Sequence, residues 1–549
     1  MPAGTYSRET PATQEAQTDR VEGGRDWWWL AAILLLALVL RLHDLEQTDI
    51  WVDEANGILT AQSSFGEILR KLSRDSSPPL YYFLLHGWIA IFGDSAAAVR
   101  SLSLGFALLL IGTVYTIGTR EISHRAGCWA AFLLAISPSQ IEFSQQARMY
   151  TLLPLVAILA WWFLLRNLRS GHWRDFAACM ASTSVALYTH NFGVYVPVVL
   201  AAMVLLSGQL FRHFWRWLLA VVIQAVLYAP WIPTLLVQIE NRDHYAWFQG
   251  LWWKFGTIGV IERSFRSFAP GGVFVMSPSG EDGLQYGIPA GVAFALAVSG
   301  AVLLARRWRE KGVVGALWIP VALALPMAAA LSLSQFLTPH YVPGRVDQML
   351  LPAYALLAAT AIAALKPRKL RYAIALVFFC VSLIPIDVLV EADRSRYVTK
   401  GADKAMVEAV LKFWKPEDVI LCTSLTRAPV EYYLQRAGVE AKLLSFPRET
   451  ARHLGAQNDR RLIQDTEALK REAATVLQEA RRLAGPDGNL FILRSDMKVN
   501  VPLLTANLRR RHYIYHEVIL GFFDQTGTGE TIEASLFRVH ALDSQDDGP

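Results

Sequence analysis

The sequence predicts a polytopic α-helical membrane protein of about eleven transmembrane helices, closed by a small C-terminal α/β domain. Three observations lead there. Of the 549 residues, 53% are hydrophobic and only 18% charged, below the quarter that soluble domains usually carry. Apolar segments long enough to cross about 30 Å of hydrocarbon recur through residue 390. The basic residues then fall on one side of those segments far more than on the other.

In order along the chain, residues 1–26 are polar, with almost nothing to bury, and are expected to form a disordered cytoplasmic tail. Trp27-Trp28-Trp29 opens an apolar run that ends in Arg41 and reads as an uncleaved first span rather than a secretory signal. The predicted spans are 27–42, 98–118, 126–140, 147–165, 174–190, 192–208, 214–236, 287–305, 313–333, 348–365 and 371–390. With the N-terminus cytoplasmic, the inner loops carry fifteen basic residues, from Arg120 and Arg125 to Lys369 and Arg371. The short outer loops carry two, Arg148 and Arg345. This positive-inside asymmetry places the 43–97 loop, the 236–286 loop and the C-terminal region on the outer face of the cell membrane.

The 43–97 loop is more than a linker. Phe65, Ile68, Leu69 and Leu72 recur at helical spacing, and Leu80 to Phe92 is apolar and aromatic. Two amphipathic surface helices are expected, broken at Ser76-Ser77-Pro78-Pro79. Beyond residue 394 the composition changes. Strands are expected at 418–423, 489–494 and 533–539, with helices near 427–437 and 463–483. The predicted domains are therefore the tail (1–26), a transmembrane domain (27–393) and a soluble outer-face domain (394–549).

Net charge is only +5, which gives no reason to expect a nucleic-acid partner. Cys128, Cys179 and Cys380 lie in apolar runs and Cys422 stands alone, without CxxC or zinc spacing, so neither a disulfide nor a structural metal is expected.

Several residues stand out chemically. Asp53 and Glu54 follow the first span, where bare acids are costly unless they face water or a working site. One of them can serve as a general base; equally, the pair can sit at the start of a helix over Ala55 to Ala61. Arg148 and Arg345 are the positive charges that topology does not require. They suit a phosphate, which guanidinium binds bidentately; the plain reading of Arg148 is an arginine snorkelling from the next span. Asp75, His190 and His340 can bind substrate or can be a solvated acid and two helix-end histidines.

As an ordered set, the motifs resemble a known family. They are the Asp53-Glu54 pair, Pro78-Pro79-Leu80-Tyr81-Tyr82, Arg100-Ser101-Leu102-Ser103, Ser137-Pro138, Ser144-Gln145-Gln146-Ala147-Arg148-Met149-Tyr150 and Tyr188-Thr189-His190. The chain is similar, over about residues 27–200, to the GT-C-class glycosyltransferases that use polyprenyl-phosphate sugars. More narrowly it looks like the bacterial relatives of protein mannosyltransferases and of the lipid A aminoarabinose transferase. The resemblance implies a GT-C-like fold and an inverting transfer at the outer membrane face to an acceptor protein, lipid or glycan. It makes Asp53 the base, with Glu54 orienting it or the acceptor, and Arg148 and Arg345 the holders of the donor phosphate. Tyr81 and Tyr82, within the matching Pro-Pro motif, join Asp75, His190 and His340 as substrate-binding candidates.

Two positions depart from the family pattern. Ser77 stands where relatives often carry a basic residue or His, and Gln146 where they often carry Glu; Glu142, one turn away, is the available substitute. No metal ligand is therefore assigned, and a divalent cation stays open as a cofactor. The rival from another class is a carrier or lipid flippase for envelope glycan intermediates, which calls for internal repeats and ionisable residues at mid-membrane. Neither is visible. A non-catalytic envelope scaffold is a second outsider.

Overall fold

The computed structural model describes residues 27–75, 77–240, 247–272, 284–336, 340–392, 402–423, 426–448, 466–485, 488–493, 530–534 and 537–541. The predicted tail (1–26) and the Ser76 part of the predicted break lie outside the described residues.

Helices cover most of each predicted span, although 126–140 is broken and 147–165 is helical only from Leu152. Helix α1 (Trp27–Leu42) leads into three short helices, α2 (Val52–Ala61), α3 (Phe65–Leu72) and α4 (Leu80–Phe92). Then come α5 (Ala96–Glu121), α6 (His124–Ala135), α7 (Pro138–Ser144), α8 (Leu152–Ser170), α9 (Trp173–Thr189) and α10 (Tyr195–Leu206). They are followed by α11 (Phe214–Tyr228), α12 (Ile232–Glu240), α13 (Trp247–Phe268), α14 (Leu284–Arg306), α15 (Trp308–Phe336), α16 (Leu351–Ala364) and α17 (Arg368–Ala392). Among the described residues, six segments are long and apolar enough to cross a membrane: 96–121, 152–170, 214–240, 287–306, 308–336 and 346–364. Helices 27–42, 80–92 and 191–206 are apolar but shorter.

Local chemistry explains several boundaries. Ser95 and Ser123 accept hydrogen bonds from the amides of Ala98 and Ala126, each three residues on, and so cap α5 and α6. The predicted span 126–140 is instead broken. Helix α6 stops at Ala135, and Pro138 opens the short, wholly buried α7, because proline suits the first turn of a new helix but not the interior of an old one. Helices α5 and α6 cross so closely that a Cβ on Gly118 would lie 2.7 Å from the Gly127 Cα. Only glycine permits that approach.

The outer-loop prediction of two surface helices needs correction to three, since α2 begins at Val52 and carries the Asp53-Glu54 pair in its first turn. Helix α3 is amphipathic as expected, with Ile68 and Leu72 buried and Phe65 and Leu69 exposed. One apolar core runs through the bundle and takes in α2, α3 and α4.

The C-terminal region holds α18 (Ala402–Leu411), β1 (Val419–Thr423), α19 (Arg427–Arg436), β2 (Lys442–Phe446), α20 (Thr466–Ala484), β3 (Leu490–Leu493), β4 (Glu530–Ala534) and β5 (Phe537–Ala541). Strands β2-β1-β3 form a parallel sheet. Alternate residues face opposite layers: Val419, Leu421 and Ile492 pack on α20, while Ile420, Cys422 and Phe491 pack with α18 and α19. The single strand expected at 533–539 is instead two, β4 and β5, paired antiparallel. A run of strand-forming residues does not show where it folds back.

This region is fastened to the bundle. Ala428 and Tyr432 of α19 join the bundle's core, and the amide of Lys404 donates to Asp49 Oδ2 (3.1 Å). Beside that bond, Asp403 is only 6% exposed, and burial, with Asp49 adding to it, pushes its carboxyl up to about 8. The folded state thus holds a proton that an unfolded Asp releases near pH ~4. The stabilisation is present below that pH and is lost as pH rises to about 8. Thermal unfolding from pH 4 to 9 should show wild type losing stability relative to Asp403→Asn; parallel curves would refute this.

Candidate active site

The site is assembled from three segments distant in sequence: the first turn of α2, the stretch between α7 and α8, and the turn ahead of α16. Trp51 precedes α2 in an extended conformation, and no side chain caps the helix. Asp53 and Glu54 therefore sit at a helix N-terminus, where the dipole favours negative charge, but neither is spent on capping.

The two acids face different partners. Asp53 Oδ2 meets Arg345 Nη2 at 2.5 Å, and the two side chains keep 25% and 15% exposure, so this pair lines an opening. Arg345 also donates from Nε to the Tyr150 hydroxyl (2.6 Å) and lies near the rings of Tyr150 and Trp51. Arg148 Nη1 reaches the backbone carbonyl of Asp53 and the Tyr82 hydroxyl, both at 3.3 Å. Its Nε is buried without a hydrogen-bond partner among the described residues, as is the Trp51 indole N–H. Spare buried donors beside an acid are expected where a polar ligand belongs.

Glu54 turns the other way. Its two oxygens accept from Arg100 Nε (2.9 Å) and Nη2 (2.8 Å), and Oε1 also accepts from the Ala147 amide (2.9 Å). Both side chains are 0% exposed. Arg100 further donates to the carbonyls of Leu45, Thr48 and Asp49 and to Thr48 Oγ1. The Glu54–Arg100 pair therefore pins the loop entering α2 to α5, and the Ala147 contact pins α2 to the residue before Arg148.

Burial by itself would raise the Asp53 carboxyl. The charges of Arg345 and Arg148 and the hydrogen bond from Arg345 outweigh it and hold Asp53 below its ordinary value. His190 accepts from the Phe192 amide through Nδ1 (3.0 Å).

The remaining candidates fall into two groups. Tyr82 touches Arg148 and donates to Asp75 Oδ2 (3.3 Å), so both belong to the Arg148 side of the site. Tyr81 lies beneath: its hydroxyl meets Ser103 Oγ (2.8 Å), which donates to the Arg148 carbonyl (2.9 Å). His340 stands farther off, at the end of a run of rings from Tyr150 through His190 and Phe192 spaced 6.0, 5.7 and 5.6 Å apart. It bonds Tyr195 and Ser334. Gln146 contacts Glu142 at 3.5 Å. Among the described residues, no group of three His, Cys, Asp or Glu side chains comes together as a metal-ligand set.

Sequence reasoning left Arg100 and Tyr150 without roles. Both stood in the quoted motifs, and Arg100 carried a usable signal: an arginine inside a predicted span needs an acidic partner.

Residues 76–233 match the sequence pattern of the family described as dolichyl-phosphate-mannose-protein mannosyltransferase. The fold is similar to ArnT from Cupriavidus metallidurans in the apo state, at TM-score 0.57 and 14% identity, over 93% of this chain and 97% of that one. The same protein bound to undecaprenyl phosphate gives 0.51 and 15%, over 95% and 99%. The apo oligosaccharyltransferase of Archaeoglobus fulgidus gives 0.50 and 13%, over 95% of this chain and 75% of that one. No curated protein matches the chain. Residues 76–233, which include Arg100, Arg148 and His190, thus carry the pattern of that mannosyltransferase family, within a fold similar to that of ArnT.

Proposed function

We propose that the protein transfers a sugar from a polyprenyl-phosphate donor to an acceptor hydroxyl at the outer face of the cell membrane, with inversion. The observation that carries this is the meeting of Asp53, Arg148 and Arg345 from three separate segments around one partly open site. The acceptor oxygen attacks the anomeric carbon and gives its proton to Asp53. The bond from the anomeric carbon to the phosphate oxygen breaks, and its electron pair leaves with the phosphate. That charge needs cations rather than a proton, and Arg148 and Arg345 supply them. A second carboxylate facing the first, as a hydrolase requires, has no place in this scheme, in keeping with Glu54 being bound to Arg100.

In the free protein Arg345 is engaged with Asp53. A donor phosphate competes for the same guanidinium, so donor binding loosens Asp53 and readies it as a base. The inward position of the basic loops and an outer-face domain from about residue 394 are part of the same proposal. In support, Glu121, which contacts Arg169 and Lys311, ends the helix α5 whose first turns carry Arg100.

Purified protein supplied with a panel of polyprenyl-phosphate sugars should turn over at least one; failure with all of them would defeat the proposal. Arg345→Ala should raise the KM for that donor by about 10–100-fold, the worth of a hydrogen-bonded charge, while leaving the acceptor KM in place. An unchanged donor KM removes Arg345 from the phosphate site.

A further inference from the structure

The loop that delivers Asp53 is held from two directions. From within the bundle, Arg100 binds the carbonyls of Leu45, Thr48 and Asp49. From the other side, the C-terminal α/β region binds the next atoms along. The Ile50 amide donates to the Tyr433 hydroxyl (2.8 Å), and Asp49 Oδ2 accepts from the Lys404 amide (3.1 Å). Helix α19, which carries Tyr433, is anchored by its neighbours: Tyr432 donates to the Asp94 carbonyl (2.9 Å) and Arg436 pairs with the Asp94 carboxylate (2.8 Å).

We propose that Tyr433 is a positioning residue for Asp53, and that through it the C-terminal region completes the active site. This rests on Asp53 acting as the base. Ile50 is buried and precedes Asp53 by three residues. Its amide lies just ahead of α2, so it has no carbonyl within that helix to bond. Tyr433 is the acceptor it finds. The direction of the chain at Ile50 and Trp51 sets the azimuth at which α2 begins, and Asp53, in the first turn, follows it. Small misplacements of a reacting group are costly in rate. Arg148 and Arg345 reach the site from other segments, so the donor phosphate is held independently of Tyr433.

Tyr433→Phe in the full-length protein keeps the ring and deletes only the acceptor. We expect kcat to fall roughly 2- to 10-fold, the rate equivalent of one hydrogen bond, with the KM for the lipid donor unchanged. Hydrogen exchange in a peptide covering residues 46–56 should quicken in the same variant, which reports the loop without reference to activity. An unchanged kcat overturns the proposal, and so does unchanged exchange. Arg436→Gln, which loosens α19 at its exposed end, should quicken exchange less. The reading of Asp53 is tested separately by Asp53→Asn: if that variant stays active, the base assignment falls. If it is inactive while Tyr433→Phe keeps full activity, only the positioning role falls.

Discussion

Asp53→Asn lowers kcat by roughly 10²–10⁴-fold, the range that a positioned general base contributes, while folding and donor binding persist. Asn is nearly isosteric and can still accept from Arg345, so the change removes basicity without opening a cavity. Donor binding is expected to hold because the phosphate is assigned to Arg148 and Arg345. The pH dependence adds a second check. In the free protein Asp53 is held below its ordinary value by Arg345 and Arg148. The acid limb of kcat/KM, which reports free protein, therefore falls at lower pH than an ordinary carboxylate would give. Once donor phosphate has drawn Arg345 away and placed its own negative charge nearby, the Asp53 value rises, so the acid limb of kcat lies at higher pH than that of kcat/KM. The measurement is sugar transfer to acceptor over pH 3–8 with each substrate varied. Full activity in Asp53→Asn, or coincident acid limbs, would sink this assignment.

The parts of this site that could be read from the sequence were those with an unusual cost. Asp53 stands out in the sequence because an acid beside a membrane span needs a reason, and Arg148 and Arg345 because positive charge on the predicted outer side departs from the asymmetry of the loops. The bundle was legible because spanning hydrocarbon demands long apolar runs, and these leave few readings open. What stayed hidden depends on which groups meet. The Tyr150 hydroxyl that receives Arg345, across 195 residues, has no periodicity to betray it. Nor does the amide of Ile50, which is satisfied by a tyrosine 383 residues away. The break at Ser137-Pro138 was visible as a proline but was overridden by the apolar run around it. The split of 533–539 into β4 and β5 was missed because alternation marks a strand and not its partner.

Glu54 shows the same limit most sharply: the resemblance makes it a group orienting Asp53 or the acceptor, and only the structure shows that its partner is Arg100. If Glu54 works by holding Arg100, then Glu54→Gln leaves a guanidinium at 0% exposure without its counter-charge. Breaking one side of a fully buried pair costs about 3–5 kcal/mol, and the loss should appear as a lowered unfolding temperature together with reduced transfer. Arg100→Met should do the same by stranding the carboxylate. The double variant Glu54→Gln/Arg100→Met leaves no unpaired charge, and it should be distinctly more stable than the two single losses added together. It should not recover full activity, because Arg100 also holds the carbonyls of Leu45, Thr48 and Asp49 in the loop ahead of α2. A Glu54 that instead took part in chemistry would give another pattern: Glu54→Gln with unchanged unfolding and a kcat as low as that of Asp53→Asn. Thermal unfolding of the four proteins beside their transfer rates separates the two. Under the expected pattern, one of two neighbouring acids meets the substrate and the other sets where the first one points.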